Sequence, residues 1–206
     1  MAAEEKTLYV SSETIHPLHW ERLTAQNPEE VAERSLARWD GEKFTLSLLG
    51  KELVISPADR RIFFTAAPNV PAGFHQGLTA ISYLWGATGS QPSGEFVSLL
   101  ELPGGATFFH GHHAPATRKI SERFGASPAE FRKRTLERGW SEVAIGDGSA
   151  SILALPKIPL QLVLWAADEG FASSAIFLID SRAGQYMQLD AIWALTNCAV
   201  EQLLRD

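Results

Sequence analysis

The chain has 206 residues, of which 45% are hydrophobic and 20% charged, and its formal net charge is −6. This length suits one hydrophobic core, so we predict a single globular domain over residues 1–206, with residues 1–11 as a loose N-terminus. The negative charge disfavours nucleic acid and anionic membranes as partners, and no apolar run is long enough to span a bilayer. A single cysteine, Cys198, excludes a disulfide or a cysteine-ligated cluster within the chain. The first residues do not form a secretory signal, so we expect a cytoplasmic protein.

Two helices are predicted at the start of the chain. The first spans residues 17–24, begins with a proline and buries Leu18 and Leu23. The second has Asn27 as its N-cap, a proline at its first position and acidic residues in its first turn. It is predicted to run to about Trp39, where Asp-Gly ends it.

A hairpin and a helix are predicted next. Residues 44–49 and 53–56 alternate apolar and polar side chains around a turn at Gly50-Lys51, which indicates a sheet with one covered face. Residues 61–65 are expected to add a third strand. Apolar residues then recur at helical spacing over residues 73–86.

The second half is predicted to alternate strands and helices. Strands are expected at residues 96–100 and 107–110, followed by helices at residues 116–124 and 127–139, the latter opened by a Ser-Pro-x-Glu capping box. Residues 146–151 are interpreted as a turn-rich link to a strand at residues 152–155.

The fold is predicted to centre on two apolar runs, Leu160–Trp165 and Ala175–Ile179. The first run is apolar on both faces, which is typical of a strand in the middle of a covered sheet. A final helix is expected at about Leu189–Leu204. We therefore predict an α+β fold in which a mainly antiparallel central sheet is covered by helices.

Several short segments of the second half occur together in a characteristic order. They are Gly94-Glu95-Phe96-Val97-Ser98, Glu101-Leu102-Pro103-Gly104-Gly105, Arg123-Phe124-Gly125, Gly146-Asp147, Leu164-Trp165, Asp168-Glu169-Gly170-Phe171 and Phe177-Leu178-Ile179-Asp180. As a set they resemble the domain-of-unknown-function 3786 family of bacteria and archaea, over a region from about Phe44 to the last helix. The resemblance implies no established activity. Some members carry a four-cysteine iron–sulfur module, which a chain with one cysteine cannot provide.

The sharpest chemical feature is the histidine cluster, His110-Gly111-His112-His113. Imidazole is a common ligand of divalent transition metals such as zinc or iron, and alternate residues of an extended chain point to the same side. A metal would need a third ligand, which His75, Glu95, Glu101 or Asp168 could supply. The alternative interpretation is a solvated loop.

A second candidate site combines acidic and aromatic side chains. Acids at the ends of core strands can hold a cationic group or act as a general base. The alternative is ordinary turn chemistry, in which such acids are solvated or accept hydrogen bonds from backbone amides. The candidate ligand-binding residues are Glu95, Glu101, Trp165, Asp168, Glu169 and Phe171.

Three functional hypotheses follow. The leading one is a non-catalytic module that binds a small molecule, a cofactor or a protein partner, since no nucleophile–base signature is present. The second is a metal-dependent enzyme or metal carrier that uses the histidine cluster. The third is an interaction subunit that completes an exposed apolar patch by forming a homodimer.

Overall fold

A computed structural model describes residues 10–205, so most of the predicted loose N-terminus, residues 1–9, lies outside the described residues. Helices cover two antiparallel sheets, and the predicted α+β class is confirmed. The helices are α1 (Pro17–Thr24), α2 (Pro28–Ser35), α3 (Phe74–Gly86), α4 (Gly105–Phe108), α5 (Thr117–Phe124), α6 (Pro128–Glu137) and α7 (Leu189–Leu204). The strands are β1 (Arg38–Trp39), β2 (Phe44–Leu48), β3 (Lys51–Ser56), β4 (Arg61–Phe64), β5 (Phe96–Ser98), β6 (Ser141–Glu142), β7 (Gly148–Leu155), β8 (Ile158–Trp165) and β9 (Ser174–Asp180).

The first sheet has the strand order β1-β2-β3-β4. The predicted hairpin is confirmed as β2 and β3, whose register places Leu48 opposite Lys51. The predicted third strand is confirmed as β4, which pairs with β3. Phe44, Leu46 and Leu48 are buried while Ser47 is exposed, as the alternating pattern requires.

The second sheet has the order β5-β9-β8-β7-β6, and the two predicted central runs are its strands β8 and β9. Leu162 of β8 lies between Ala150 and Phe177, and all three are buried in the core. The opposite face of β8 is covered only in part, because Val163 is buried but Trp165 is exposed. The apolar pattern therefore identified the strand correctly but overstated how much of its second face is covered.

One hydrophobic core joins the two sheets. Helix α3 packs against α1, α2 and α7, and α5 and α6 pack against the second sheet. Leu49 connects these parts, since its N–H donates to the Ala154 carbonyl oxygen at 2.8 Å and its carbonyl accepts from the Gln202 side chain at 2.9 Å. No helix within residues 10–205 is long and apolar enough to cross a membrane.

The second helix ends earlier than its sequence predicts. The Asn27 side chain accepts from the backbone of Glu29 at 2.9 Å, so the predicted start is correct. The helix stops at Ser35 because Leu36 adopts a left-handed conformation. Trp39, predicted to be helical, pairs instead with Phe44 in the sheet, and their rings lie 4.4 Å apart. This aromatic contact outweighs local helix propensity.

Three further local predictions are wrong. Residues 107–110 were expected to form a strand, but α4 is a helical turn in which the N–H groups of Phe108 and Phe109 donate to Gly104 and Gly105. Strand β7 begins already at Gly148, because pairing with β8 extends through the predicted turn-rich link. In α1 the buried partner of Leu23 is Trp20, whereas Leu18 is exposed.

Candidate functional site

The three histidines of the predicted cluster are exposed. Residues Gly111–His113 form one turn of 3-10 helix. The His113 ring stacks on Phe108 with ring centroids 4.5 Å apart and meets Trp193 edge-on at 5.8 Å. The aromatic side chains therefore hold His113 by packing.

The histidine cluster does not assemble a metal-binding arrangement. Throughout the described residues, no three His, Cys, Asp or Glu side chains form a group that could hold a metal ion. Of the expected third ligands, His75 bonds to Glu201 with 3.1 Å between Nδ1 and Oε1. Glu101 accepts from the Ser98 N–H at 2.8 Å. The donor set needed for zinc or iron is thus not brought together.

The acidic and aromatic candidates lie at two separate ends of the second sheet. Asp168 and Phe171 face each other across a tight turn, with their backbone N–H and C=O groups joined at 3.1 and 2.9 Å. Glu169 is exposed in that turn, and Phe171 is 78% exposed. Trp165 ends β8 beside it. These residues form a solvated turn.

Glu95 lies at the other end of β9. Its carbonyl oxygen accepts from the Ser181 N–H at 2.8 Å, just beyond the last residue of the strand. Since β9 spans seven residues and a strand rises about 3.4 Å per residue, roughly 20 Å separates Glu95 from the acidic turn. The structure therefore divides the predicted ligand-binding residues and does not form one pocket from them.

Two buried charges anchor the loop between α3 and β5. The Asp180 carboxylate accepts hydrogen bonds from Ser93, Gly94 and Arg182, and the Lys157 ammonium donates to the Thr88 and Ser90 carbonyls at 2.9 and 3.1 Å. Burial lowers the pKa of Lys157. Burial alone would raise the pKa of Asp180, but these hydrogen bonds hold it below its ordinary value. Both side chains are committed to holding the loop.

A cleft of about 650 Å³ opens where the first sheet meets the last helix, and we refer to it as the α7 cleft. Its wall is apolar at Leu48, Leu49, Phe64 and Cys198. Polar and charged side chains surround this wall. They are Lys51, Glu52, Thr65, Gln76, Arg138, Glu201, Gln202 and Arg205.

The α7 cleft is shaped by the periodicity of its last helix. Cys198, Glu201 and Gln202 follow one another at intervals of three and one residues, which places them along one side of α7, and Arg205 comes directly after the last residue of the helix. Gln202 is fixed in place, because its amide donates to Leu49 and its carbonyl accepts from the Trp140 indole at 3.0 Å. The wall is therefore formed in advance of any ligand.

A second hollow adjoins the α7 cleft. It measures about 460 Å³ and shares Phe64, Gln76, Glu201 and Arg205 with the cleft. Phe74 and Pro71 line its far side. The shared residues make the two hollows parts of one groove along the edge of the first sheet.

Two ionisable groups of the α7 cleft, Glu201 and Cys198, have pKa values that are moved away from neutral pH. The hydrogen bond from His75 keeps the pKa of the Glu201 carboxyl below its ordinary value. Burial raises the pKa of the Cys198 thiol. Glu201 thus stays ionised and the thiol stays protonated at neutral pH, so neither is tuned as a general acid or a nucleophile.

Two arginine side chains beside the α7 cleft donate hydrogen bonds to a backbone carbonyl oxygen. Arg134 and Arg138 both donate to the Arg205 carbonyl oxygen, and so satisfy an acceptor at the end of α7. The Arg138 Nε is buried without a partner among the described residues. Glu52 pairs loosely with Arg38, with N and O 3.7 Å apart.

The sequence model of a family described as a domain of unknown function (DUF3786) matches residues 27–202, which is most of the chain. The chain belongs to the DUF3786 family. No curated protein and no solved structure matches it significantly. The DUF3786 match begins at Asn27, the N-cap of α2, and ends at Gln202 in the wall of the α7 cleft.

Sequence reasoning missed the α7 cleft within this DUF3786 fold. The available signal was at the end of α7, where a polar stripe formed by Glu201 and Gln202 continues into Arg205 directly after the helix. That stripe indicates a helix side that is not packed in the core. The other wall comes from strands more than a hundred residues earlier, and their approach to α7 depends on tertiary structure.

Proposed function

We propose that this protein is a non-catalytic binding module whose small-molecule ligand occupies the α7 cleft. The observation that carries the proposal is the cleft itself, with its apolar wall of Leu48, Leu49 and Phe64 and its volume of about 650 Å³. Small-molecule sites in proteins are typically concave, mostly apolar and roughly 300–1,000 Å³ in volume.

The arrangement of the wall supports binding. Gln202 is held by Leu49 and Trp140, so its side chain need not be ordered when a ligand enters. Ordering a side chain on binding costs about 0.5–1.5 kcal/mol, and a wall formed in advance avoids that cost. We therefore expect an apolar ligand body to lie on the strands, with its polar groups towards Gln76 and Lys51.

The protonation states support binding over catalysis. Catalytic acids and bases usually have pKa values tuned towards the working pH. In the α7 cleft the pKa of Glu201 is lowered and that of Cys198 is raised, so both move away from neutrality. This is the reason for proposing a module that holds a small molecule without transforming it.

Ligand-observed NMR with a library of small apolar fragments tests the proposal. Ala66 lines the cleft and is exposed, so Ala66→Phe should fill it without disturbing the core. Ala58→Phe is the matched control, because Ala58 is exposed in the turn between β3 and β4 and does not line the cleft. Fragments should bind the wild type and Ala58→Phe, and lose binding to Ala66→Phe.

Thermal stability gives a second readout. A fragment that occupies the cleft should raise the Tm of the wild type and of Ala58→Phe, and leave that of Ala66→Phe unchanged. The proposal is refuted if no fragment binds the wild type, or if the fragments bind and stabilise Ala66→Phe equally well.

A further inference from the structure

The groove formed by the α7 cleft and the second hollow differs in character between its two ends. Lys51 and Arg138 line the α7 cleft but not the second hollow. The far side of the second hollow is apolar, with Val70, Pro71 and Phe74 in its lining, and Val70 is 61% exposed. A ligand that fits along this groove therefore has one polar end and an apolar body.

Positive charges are in excess in the lining of the α7 cleft. Its cationic side chains are those of Lys51, Arg138 and Arg205, and its acidic side chains are those of Glu52 and Glu201. The chain as a whole has a formal charge of −6, so the lining of the cleft differs in sign from the rest of the protein. A cleft lined mainly by one sign of charge attracts ligands of the opposite sign.

Both carboxylates of the cleft already lie beside a basic side chain. The Glu201 Oε1 is 3.1 Å from the His75 Nδ1, and the Glu52 Oε1 is 3.7 Å from an Arg38 nitrogen. Within residues 10–205, no acidic side chain forms an ion pair with any of the three cations that line the cleft. The acidic side chains therefore have partners, and the cationic side chains are available to an anionic ligand.

Arg138 has an incomplete set of hydrogen bonds at the wall of the cleft. It comes directly after the last residue of α6, and its Nε is buried without a partner among the described residues. Its guanidinium donates to the Arg205 carbonyl oxygen, which Arg134 also supplies with a donor. A buried donor without an acceptor is unfavourable, and more so when it is charged. An acceptor group brought into the cleft would improve the hydrogen bonding of this guanidinium.

A carboxylate fits this arrangement better than a phosphate. Arginine presents its N–H donors in a planar fork that matches the two oxygens of a carboxylate. A phosphate monoester carries about −1.5 to −2 charges at neutral pH. Glu52 and Glu201 also line the cleft, and they would repel a phosphate more strongly than a singly charged carboxylate.

We infer that the ligand of the α7 cleft is an amphipathic carboxylic acid whose carboxylate binds Arg138 and whose apolar body lies on Leu48 and Phe64. Lys51 contributes a second positive charge to the same cleft. Phe64 lines both parts of the groove, so a longer apolar body extends past it into the second hollow. This inference rests on the proposed function, because it names the chemical class of the small molecule that the cleft holds.

Ligand-observed NMR with probes that share one apolar chain and differ in the head group tests the inference. The probes are octanoate, octan-1-ol, octylamine and octyl phosphate. Octanoate should bind the wild type about tenfold more tightly than octan-1-ol, and more tightly than the other two probes. The overall charge of −6 attracts octylamine and repels octanoate, so a preference for octanoate must come from cations in the cleft.

Removing single charges identifies the residues that hold the carboxylate. Arg138→Gln should weaken octanoate about tenfold and leave octan-1-ol unchanged, and Arg134 still supplies the Arg205 carbonyl oxygen in this variant. Lys51→Gln replaces an exposed side chain and should weaken octanoate about two- to fivefold. Arg60→Gln is the matched control, because Arg60 is exposed and does not line the cleft, and it should bind every probe like the wild type.

Salt gives an independent check, because screening weakens the attraction between a carboxylate and a partly exposed cation. The advantage of octanoate over octan-1-ol should shrink as the ionic strength rises from about 20 to 500 mM.

The outcomes separate this inference from the proposed function. The inference alone is overturned if octan-1-ol, octylamine or octyl phosphate binds the wild type as tightly as octanoate. It is also overturned if Arg138→Gln and Lys51→Gln keep the full preference for octanoate. If none of these probes and no apolar fragment binds the wild type, the proposed function fails and the inference fails with it.

Discussion

Replacing Asp180 by asparagine tests a buried carboxylate whose two oxygens accept four hydrogen bonds. Asp180 is 0% exposed. Its Oδ1 accepts from the N–H groups of Ser93 at 3.1 Å and Arg182 at 3.0 Å. Its Oδ2 accepts from the Gly94 N–H at 2.7 Å and the Ser93 hydroxyl at 3.0 Å. Asparagine keeps only one acceptor oxygen, so either orientation of the amide loses two of these bonds.

The size of the effect follows from that count. A hydrogen bond to a charged group contributes about 1.5–3 kcal/mol, and reorientation of the Ser93 hydroxyl recovers part of the loss. We expect Asp180→Asn to lower the free energy of unfolding by about 3 kcal/mol. For a chain of this length, that corresponds to a fall in Tm of roughly 6–12 °C.

Urea denaturation followed by circular dichroism measures the change. Asp168→Asn is the control, because Asp168 is exposed and its carboxylate accepts only from the adjacent Glu169 N–H among the described residues. This variant should change stability by less than about 0.5 kcal/mol. Equal stability of Asp180→Asn and the control would refute the hydrogen-bond account.

The pH dependence tests the same carboxylate. The folded-state pKa of Asp180 is lowered, so its contribution is complete above the unfolded value of about 3.9 and is lost as the pH falls towards the lower folded pKa. Asparagine does not titrate, so the stability gap between wild type and Asp180→Asn should shrink below about pH 3.9. A gap that is constant from pH 6 to pH 3 would contradict the assignment.

Three further changes have defined outcomes. A Cβ on Gly105 would collide with the Leu99 carbonyl oxygen, so Gly105→Ala should cost about 1–3 kcal/mol in urea denaturation, whereas Gly184→Ala, with open space around it, should not destabilise. His113→Ala removes a ring stacked on Phe108 and should cost about 1 kcal/mol, whereas His112→Ala should stay within about 0.5 kcal/mol of wild type in the same assay. His75→Ala should raise the pKa of Glu201 towards its ordinary value, which NMR of the carboxyl group can follow. The same variant should change the free energy of unfolding by less than about 1 kcal/mol, because the His75–Glu201 pair is partly exposed.

The sequence predicts best the elements whose pattern and end signals agree. The hairpin of β2 and β3 has both alternation and a glycine turn, and α6 has Pro128 after the Ser127 cap, and both are confirmed. Predictions fail where distant contacts decide the conformation. Trp39 was predicted to be helical but packs on Phe44 in the first sheet. Gly148 was predicted to lie in a turn but pairs with Leu164 and so belongs to β7. No local pattern contains those partners.

The same distinction explains the candidate sites. The histidine cluster and the acidic turn were chosen as candidate sites because their residues are neighbours in the sequence. Neighbouring residues do not necessarily direct their side chains towards the same point. The α7 cleft is built from β2, β4 and α7, whose lining residues such as Leu48, Phe64 and Cys198 are unremarkable one by one. A site of this kind can be identified only once the tertiary structure has brought strands β2 and β4 next to helix α7.

The motifs that resemble the DUF3786 family have structural roles in this chain. Gly94 and Asp180 join a loop to β9, and Gly105 lies against the backbone of Leu99. Asp147 accepts from the Ala166 N–H at 2.8 Å, which fixes the end of β8. None of these motif residues lines the α7 cleft. These motif residues therefore stabilise the fold, whereas the site proposed for a ligand is formed by other residues of the chain.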